Sequence, residues 1–137
     1  MQILMPAIAL VAVTFVVWCW MYFTRVRFIR ANGIDLNSIA TRECGTARLE
    51  PVAGPSDNFQ NLLEMPVLFY VLIILLLDTG HASSGFVTAA WAFVGLRTLH
   101  SAIHCTYNDV MHRFTVYALS SLLLWGMWAA FAVTLLS

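Results

Sequence analysis

The chain has 137 residues, of which 61% are hydrophobic and only 10% are charged. Its mean hydropathy of +0.80 is too high for a soluble domain of this length, which could not hide so much apolar surface from water. Seven arginines, no lysine and seven acidic residues give a formal net charge of zero, and this balance excludes a nucleic-acid-binding protein. The composition therefore predicts a single integral membrane domain over residues 1–137.

Two long apolar runs, one near each end of the chain, can each cross a bilayer as a helix. Such a helix needs ~20 residues to cross ~30 Å of hydrocarbon. Residues 3–23 contain no charge, and the only polar side chains in residues 114–136 are Ser, Thr and Tyr. We place the first span at about residues 3–24 and the fourth at 114–136. Arginines follow the first run and none precedes it, the reverse of a cleavable signal peptide, so we expect this span to be retained.

The two middle runs are shorter, and their length brings polar side chains into the membrane. Uninterrupted apolar sequence covers only residues 65–77 and 86–96. To reach a spanning length, the second span must occupy about residues 59–77 and the third about 86–105. The polar or ionisable side chains that these two spans then contain include Asn61, Glu64, Arg97, His100 and His104. Such groups are costly in hydrocarbon and normally face the bundle interior or a wet cavity, so we expect a functional site here.

The distribution of arginines predicts the orientation in the membrane. Five arginines lie in residues 25–57, between the first two spans, and Arg113 lies between the third and fourth. The connection at residues 78–85 and both termini carry no Lys or Arg. The positive-inside rule therefore places the first and third connections in the cytoplasm and both termini on the non-cytoplasmic side.

The connection at residues 25–57 is far longer than a link between neighbouring helices requires, and loops of this length cover a site or are disordered. Asn32-Gly33 is typical of the end of a helix that continues past the membrane. The sequence Gly54-Pro55-Ser56-Asp57 supplies a breaker and then a candidate N-cap for the second span.

Helical spacing places the polar residues of each middle span on one face. Asn61 and Glu64 are three residues apart, and Arg97, His100 and His104 follow at steps of three and four. Counted from the cytoplasmic end of each helix, Glu64 lies ~8 Å deep and Arg97 ~12 Å deep. We expect these two charges to form a buried pair, which either clamps the helices or contacts a ligand.

The two histidines of the third span have a second interpretation, because His at positions i and i+4 can hold a metal ion or contribute to haem ligation. The remaining histidines, His81 and His112, lie in opposite connections, so neither shares the depth of the pair. Hydrogen-bonded polar packing is the more usual role of such histidines, and we expect no metal.

The segment Asn61-Leu-Leu-Glu64 with Pro66, followed by Arg97-Thr-Leu-His100, resembles the membrane-associated proteins in eicosanoid and glutathione metabolism, the MAPEG family. The chain length, the four spans and the long first connection are also similar, over nearly the whole chain. The resemblance implies an all-α bundle of four transmembrane helices that assembles as a homotrimer and binds glutathione, as a co-substrate, between adjacent subunits near the cytoplasmic face.

The same resemblance implies a bacterial-type or microsomal glutathione transferase-like enzyme. Such a member would be a glutathione-dependent transferase or peroxidase acting on lipophilic electrophiles that arrive from the lipid. The family also includes a non-catalytic, lipid-presenting member. The alternative is therefore a non-catalytic membrane protein of the same fold that binds lipid or a partner.

Individual residues match the family's motifs. Arg113, sixteen residues after Arg97, matches the arginine credited with holding the glutathione thiolate and is the expected catalytic residue. His104 stands where eicosanoid-type members carry a tyrosine, and Tyr107 follows three residues later, so both are expected in the site. The other residues that the resemblance assigns to glutathione binding are Arg25, Asn61, Glu64, Arg97 and His100.

The chemistry of glutathione agrees with these roles. It carries two carboxylates, which arginine side chains at the membrane interface bind well. A guanidinium near its thiol lowers the thiol pKa from ~8.5 and so increases the fraction of nucleophilic thiolate. Arg113 beside the lipid headgroups could instead serve only to fix the topology.

Overall fold

The computed structural model describes residues 2–136, and all regular structure in that range is helical. Six α-helices follow one another along the chain: α1 (Leu4–Ala31), α2 (Arg42–Leu49), α3 (Gly54–Leu63), α4 (Met65–Asp78), α5 (Ser84–Cys105) and α6 (Val110–Leu136). The segments that are long and apolar enough to cross a membrane are Leu4–Ala31, Gly54–Asp78, Ser84–Cys105 and Val110–Leu136. The predicted fold class, an all-α bundle of four membrane-spanning helices, is confirmed.

Helix α1 continues well past residue 24, where we placed the end of the first span, and stops at Ala31. The backbone amide of Asn32 donates to the carbonyl of Phe28 at 3.1 Å, and Gly33 has a φ of +58°. Glycine adopts this left-handed conformation without steric cost and so ends the helix. The predicted helix end at Asn32-Gly33 is confirmed.

The connection after α1 is largely structured. Helix α2 lies between two short 3-10 turns, Leu36–Ile39 and Glu50–Val52. At the start of α2, the Thr41 hydroxyl accepts a hydrogen bond from the amide of Cys44 at 3.3 Å. Helix α3 begins at Gly54 and has no side-chain N-cap. The expectation of an N-cap within Ser56-Asp57 was wrong, because Pro55 is tolerated inside a first helical turn and does not delay the start of the helix.

The second candidate span consists of two helices, because the chain is interrupted at Glu64 between α3 and α4. Glu64 has φ −94° and ψ −94°, which is not a helical conformation. Pro66 lies in the first turn of α4. Proline has no backbone N–H, so a continuous helix through this position would lack one hydrogen bond to the carbonyl of the preceding turn. The interruption places Asn61 at the end of α3, close to α5.

Helix α5 is the centre of the bundle and packs against α1, α3 and α6. In the core, the rings of Phe69 and Phe93 stack with their centroids 4.6 Å apart, and both are fully buried. Large apolar side chains such as Phe15 and Leu122 point outward. A chain with so few charges can keep these side chains exposed only if lipid covers them.

Candidate functional site

The polar face of α5 is buried inside the bundle. Arg97 is 0% exposed, His100 2% and His104 3%. Burial of an unpaired charge or polar group costs several kcal/mol, so each of these side chains needs partners. The contacts that they make define the candidate site.

Arg97 is held by the interruption in the second span. In an unbroken helix the carbonyl of Asn61 would accept from the amide four residues later; here it accepts from Nη2 of Arg97 at 2.9 Å. The guanidinium carbon also lies 5.4 Å from the centre of the Tyr117 ring, within the range of a cation–π contact. The buried Nε and Nη1 atoms of Arg97 have no acceptor within residues 2–136.

The predicted ion pair between Glu64 and Arg97 was wrong for the single chain. Glu64 is exposed, and its Oε1 accepts from Nε2 of Gln60 at 3.4 Å. In the described range, the one contact within ion-pair distance is between His112 and Asp109. Because Glu64 stands at the interruption, its side chain leaves the helical face that the three-residue step from Asn61 assumed.

Arg113, in the first turns of α6, contacts both histidines of α5. Its Nη1 donates to Nε2 of His104 at 2.9 Å and to Oδ1 of Asn108 at 2.7 Å. Its carbonyl oxygen lies 3.1 Å from Nδ1 of His100. Within residues 2–136, no group of three His, Cys, Asp or Glu side chains has the arrangement of a metal site.

The turn between α5 and α6 determines where Arg113 lies. Asn108 has a φ of +50°, a conformation that Asn adopts more readily than most residues. Asp109 then caps α6, since its Oδ1 accepts from the amide of His112 at 2.9 Å. This hydrogen bond holds the pKa of the exposed Asp109 carboxyl below its usual value.

These side chains line a cavity of about 310 Å³ between α3, α5 and α6, at the small end of the range for ligand sites. Its lining combines polar and apolar groups: Asp57, Asn61, His100, His104, Val110, Arg113, Phe114 and Tyr117. No carboxylate of the described chain lies within ion-pair distance of Arg113, and no hydrogen bond among residues 2–136 uses its Nη2 or Nε. The cavity therefore offers a positive charge with no carboxylate at ion-pair distance, and free donors beside an apolar wall.

Arg25 lines a different cavity, of about 630 Å³, between α1, α2 and α3. Its Nη2 donates to the hydroxyl of Ser56 at 2.7 Å, and its buried Nε has no acceptor in the described chain. Asp57 lines both cavities, so the first turn of α3 separates them. One chain thus brings Asn61, His100, His104 and Arg113 together but keeps Arg25 apart.

Tyr107 lies outside both cavities. It is 62% exposed, and its hydroxyl contacts Nδ1 of His112 at 3.2 Å. Tyr117 occupies the cavity instead, one helical turn after Arg113, and sequence reasoning missed it. The four-residue step from Arg113 on α6 was the available signal.

The beginning of α3 packs closely on the end of α5. A Cβ atom placed on Gly54 would lie 2.9 Å from the carbonyl oxygen of His104, so glycine is needed at this contact. The fully buried Asn58 adds a polar link, because its Oδ1 accepts from the hydroxyl of Ser101 at 3.3 Å and its Nδ2 donates to Sγ of Cys105 at 3.5 Å. Both contacts fix the wall of the cavity that carries Asp57 and Asn61.

Comparison with known proteins agrees with this architecture. The sequence matches the MAPEG family over residues 3–133, which is almost the whole chain. No curated protein and no solved structure matches the chain. The chain therefore belongs to the MAPEG family and is a multi-pass membrane protein of glutathione or eicosanoid metabolism.

Proposed function

We propose that this protein is a glutathione-dependent transferase or peroxidase that acts on lipophilic electrophiles at the membrane, and that residues 1–137 act as one domain. The observation that supports the proposal is the positive charge of Arg113, which lines the cavity between α3, α5 and α6 and has no carboxylate within ion-pair distance. MAPEG members commonly use glutathione, and an anionic thiolate is the ligand that such a charge favours.

In the proposed reaction, Arg113 stabilises the thiolate of bound glutathione. The guanidinium of Arg113 favours the ionised form of the sulfur, so the thiol of bound glutathione loses its proton to water. The free Nη2 and Nε donors of Arg113 face the resulting thiolate. The thiolate then forms a bond to an electrophilic carbon, and the leaving group departs with the electron pair. Phe114 and Val110 supply the apolar side of the cavity at which a lipophilic substrate would arrive.

We infer supporting roles for the remaining polar residues. Asn61 and His100 line the cavity beside Arg113 and are placed to contact the tripeptide. Arg97 is too deeply buried to meet a ligand from the cavity mouth, so we assign it to holding the carbonyl of Asn61. Glu64 is exposed and would reach glutathione only at a boundary with another subunit.

A homotrimer would supply what one chain lacks. Arg25 is suited to the carboxylates of glutathione, but it lines a separate cavity from Arg113. We propose that Arg25 of one copy and Arg113 of its neighbour complete one site at the subunit boundary. The test is to coexpress Arg25→Leu with Arg113→Leu subunits, each of which should have strongly reduced activity alone. Mixed assemblies should regain part of the activity, because some boundaries then carry both intact arginines. A complete lack of complementation in mixed assemblies would contradict a shared site.

Native mass spectrometry in mild detergent tests the stoichiometry on which this argument depends. We expect trimers. Only monomers or dimers would contradict the proposed assembly.

We also propose that the site lies near the cytoplasmic face, with both termini on the non-cytoplasmic side. Arg113 and the arginines between α1 and α3 support this orientation through the positive-inside rule. Labelling of single cysteines introduced near each terminus, from one side of sealed vesicles, would measure it.

The second candidate is a non-catalytic lipid-binding protein of the same fold. A groove of about 430 Å³ between α1 and α5 favours it because its lining is almost entirely apolar. Val13, Val17 and Ala102 are among the residues that form this groove. Such a surface suits the acyl chain of a lipid and does not require catalytic groups.

Glutathione binding separates the two candidates. Purified protein in detergent is titrated with glutathione while the ultraviolet absorbance of the thiolate is followed, and conjugation to a chloronitrobenzene is assayed in parallel. The enzyme should show thiolate absorbance and turnover, and Arg27→Leu, which changes an exposed arginine of α1, should retain both. Absence of both signals in the wild type would favour the lipid-binding protein.

A further inference from the structure

The hydrogen bond between Arg113 and His104 fixes the protonation of the histidine ring. A guanidinium is always protonated and has no acceptor atom. Because Nη1 of Arg113 lies 2.9 Å from Nε2 of His104, Nε2 must be the acceptor and therefore carries no proton. The ring of His104 is neutral in this arrangement, and its proton is on Nδ1.

The same argument orients His100. Its Nδ1 lies 3.1 Å from the carbonyl oxygen of Arg113, and a carbonyl can only accept, so Nδ1 of His100 carries a proton. One residue of α6 thus determines the hydrogen positions of both rings of α5, through its side chain for His104 and its main chain for His100. The ring centroids are 5.4 Å apart.

We propose that His104 is a positioning residue that holds the guanidinium of Arg113 only while its ring is neutral. This inference rests on the proposed function, in which Arg113 stabilises the glutathione thiolate. A proton on Nε2 would turn the acceptor into a donor and place two cations face to face at 2.9 Å. Arg113 would then keep only its bond to Asn108, and the site would lose the orientation of its catalytic charge.

Charged and titratable groups surround His104 on every element packed against it. On α5 these are Arg97 and His100, and on α6 they are Arg113 and Tyr117. On α3, Asp57 lines the same cavity, whereas no carboxylate of the described chain is within ion-pair distance of the His104 ring. A second proton on His104 would thus meet two guanidinium groups and have no acidic partner at contact distance.

A purely structural role for His104 predicts a different result. If His104 only packs against α6, its replacement should change the reaction rate by the same factor at every pH. If it positions Arg113 through a neutral ring, its replacement by a residue that accepts without titrating should change the shape of the pH profile. Glutamine is such a residue, because its amide oxygen accepts at any pH.

The first measurement needs no glutathione. NMR of the ring nitrogens in isotope-labelled histidine should show His104, assigned by its absence in His104→Gln, as a neutral ring protonated on Nδ1 at neutral pH. Arg113→Leu should alter this signal, and Arg27→Leu should leave it unchanged. A ring protonated on Nε2 at neutral pH in the wild type would overturn the proposal.

The second measurement is the pH dependence of glutathione conjugation. At pH values low enough to protonate His104, the wild-type rate should depend on two protons, one on the thiolate and one on His104, and the rate of His104→Gln should depend on the thiolate proton alone. For each unit by which the pH falls in this range, the rate of His104→Gln should therefore drop by a factor about ten times smaller than the wild-type rate does. Acid limbs that remain parallel in this low pH range would overturn the positioning role. Absence of turnover in wild type would refute the proposed function instead, and the NMR result would still decide whether the Arg113–His104 bond exists.

Discussion

Gly54 lies against the carbonyl oxygen of His104 so closely that a Cβ atom on Gly54 would come within 2.9 Å of it. This contact joins the first turn of α3 to the end of α5, directly beside the cavity that contains Arg113. Because the opposing atom belongs to the main chain, it cannot move aside as a flexible side chain would.

We therefore expect Gly54→Ala to displace α3 and to lower the free energy of unfolding by ~1–3 kcal/mol, the usual cost of overpacking. The rate of glutathione conjugation should fall as well, because α3 carries Asn61. The measurement is reversible denaturation in mixed micelles together with the conjugation assay.

Gly95 provides the matched control. It also lies in a helix, but a Cβ atom there would meet nothing within 4 Å. Gly95→Ala should leave stability unchanged or raise it by up to ~1 kcal/mol, since alanine favours helix. Equal losses in both variants would contradict the close contact at Gly54.

Glu64→Gln should have little effect on stability. Arg97 bonds to the main-chain carbonyl of Asn61 and Glu64 is exposed, so the expected change in the free energy of unfolding is within ~0.5 kcal/mol. Removal of one partner from a buried ion pair costs ~3–5 kcal/mol. A loss of that size in Glu64→Gln would show that the carboxylate neutralises Arg97 after all, for example across a subunit boundary.

Arg113→Leu should reduce turnover with a chloronitrobenzene by ~10²-fold at neutral pH, the typical effect of losing one group that stabilises a developing or resting anion. The rate should recover in part at higher pH, because hydroxide then ionises the thiol without help from the protein. Steady-state kinetics across pH measure both effects. Wild-type rates in Arg113→Leu would leave this arginine as a topology determinant only.

The sequence was sufficient for the four spans and for the polar face of α5, because hydropathy and helical spacing act within single segments. It also placed Asn61, His100, His104 and Arg113 on elements that the structure brings into one cavity. These residues lie in or beside regular helices, where a step of three or four residues is a reliable guide to a shared face.

Two features of the site could not be predicted from hydropathy and helical spacing. The pairing of Glu64 with Arg97 assumed an unbroken helix, and the interruption at Glu64 turned the carboxylate outward while freeing the carbonyl of Asn61 for Arg97. The positions of Tyr107 and Tyr117 depend on the turn between α5 and α6, in which Asn108 has a positive φ. Helical periodicity stops at such a turn, so the spacing from α5 could not exclude Tyr107, and only the four-residue step from Arg113 within α6 indicated Tyr117.

The central claim, that Arg113 holds glutathione as its thiolate, is tested most directly by titrating the ultraviolet absorbance of bound glutathione against pH in the wild type and in Arg113→Leu. We expect the wild type to bind the thiolate at neutral pH and the ionisation midpoint to rise by ~1 pH unit or more in the variant, because a nearby opposite charge lowers a pKa by about that amount. Identical midpoints in the two proteins, or no thiolate in the wild type, would contradict the account.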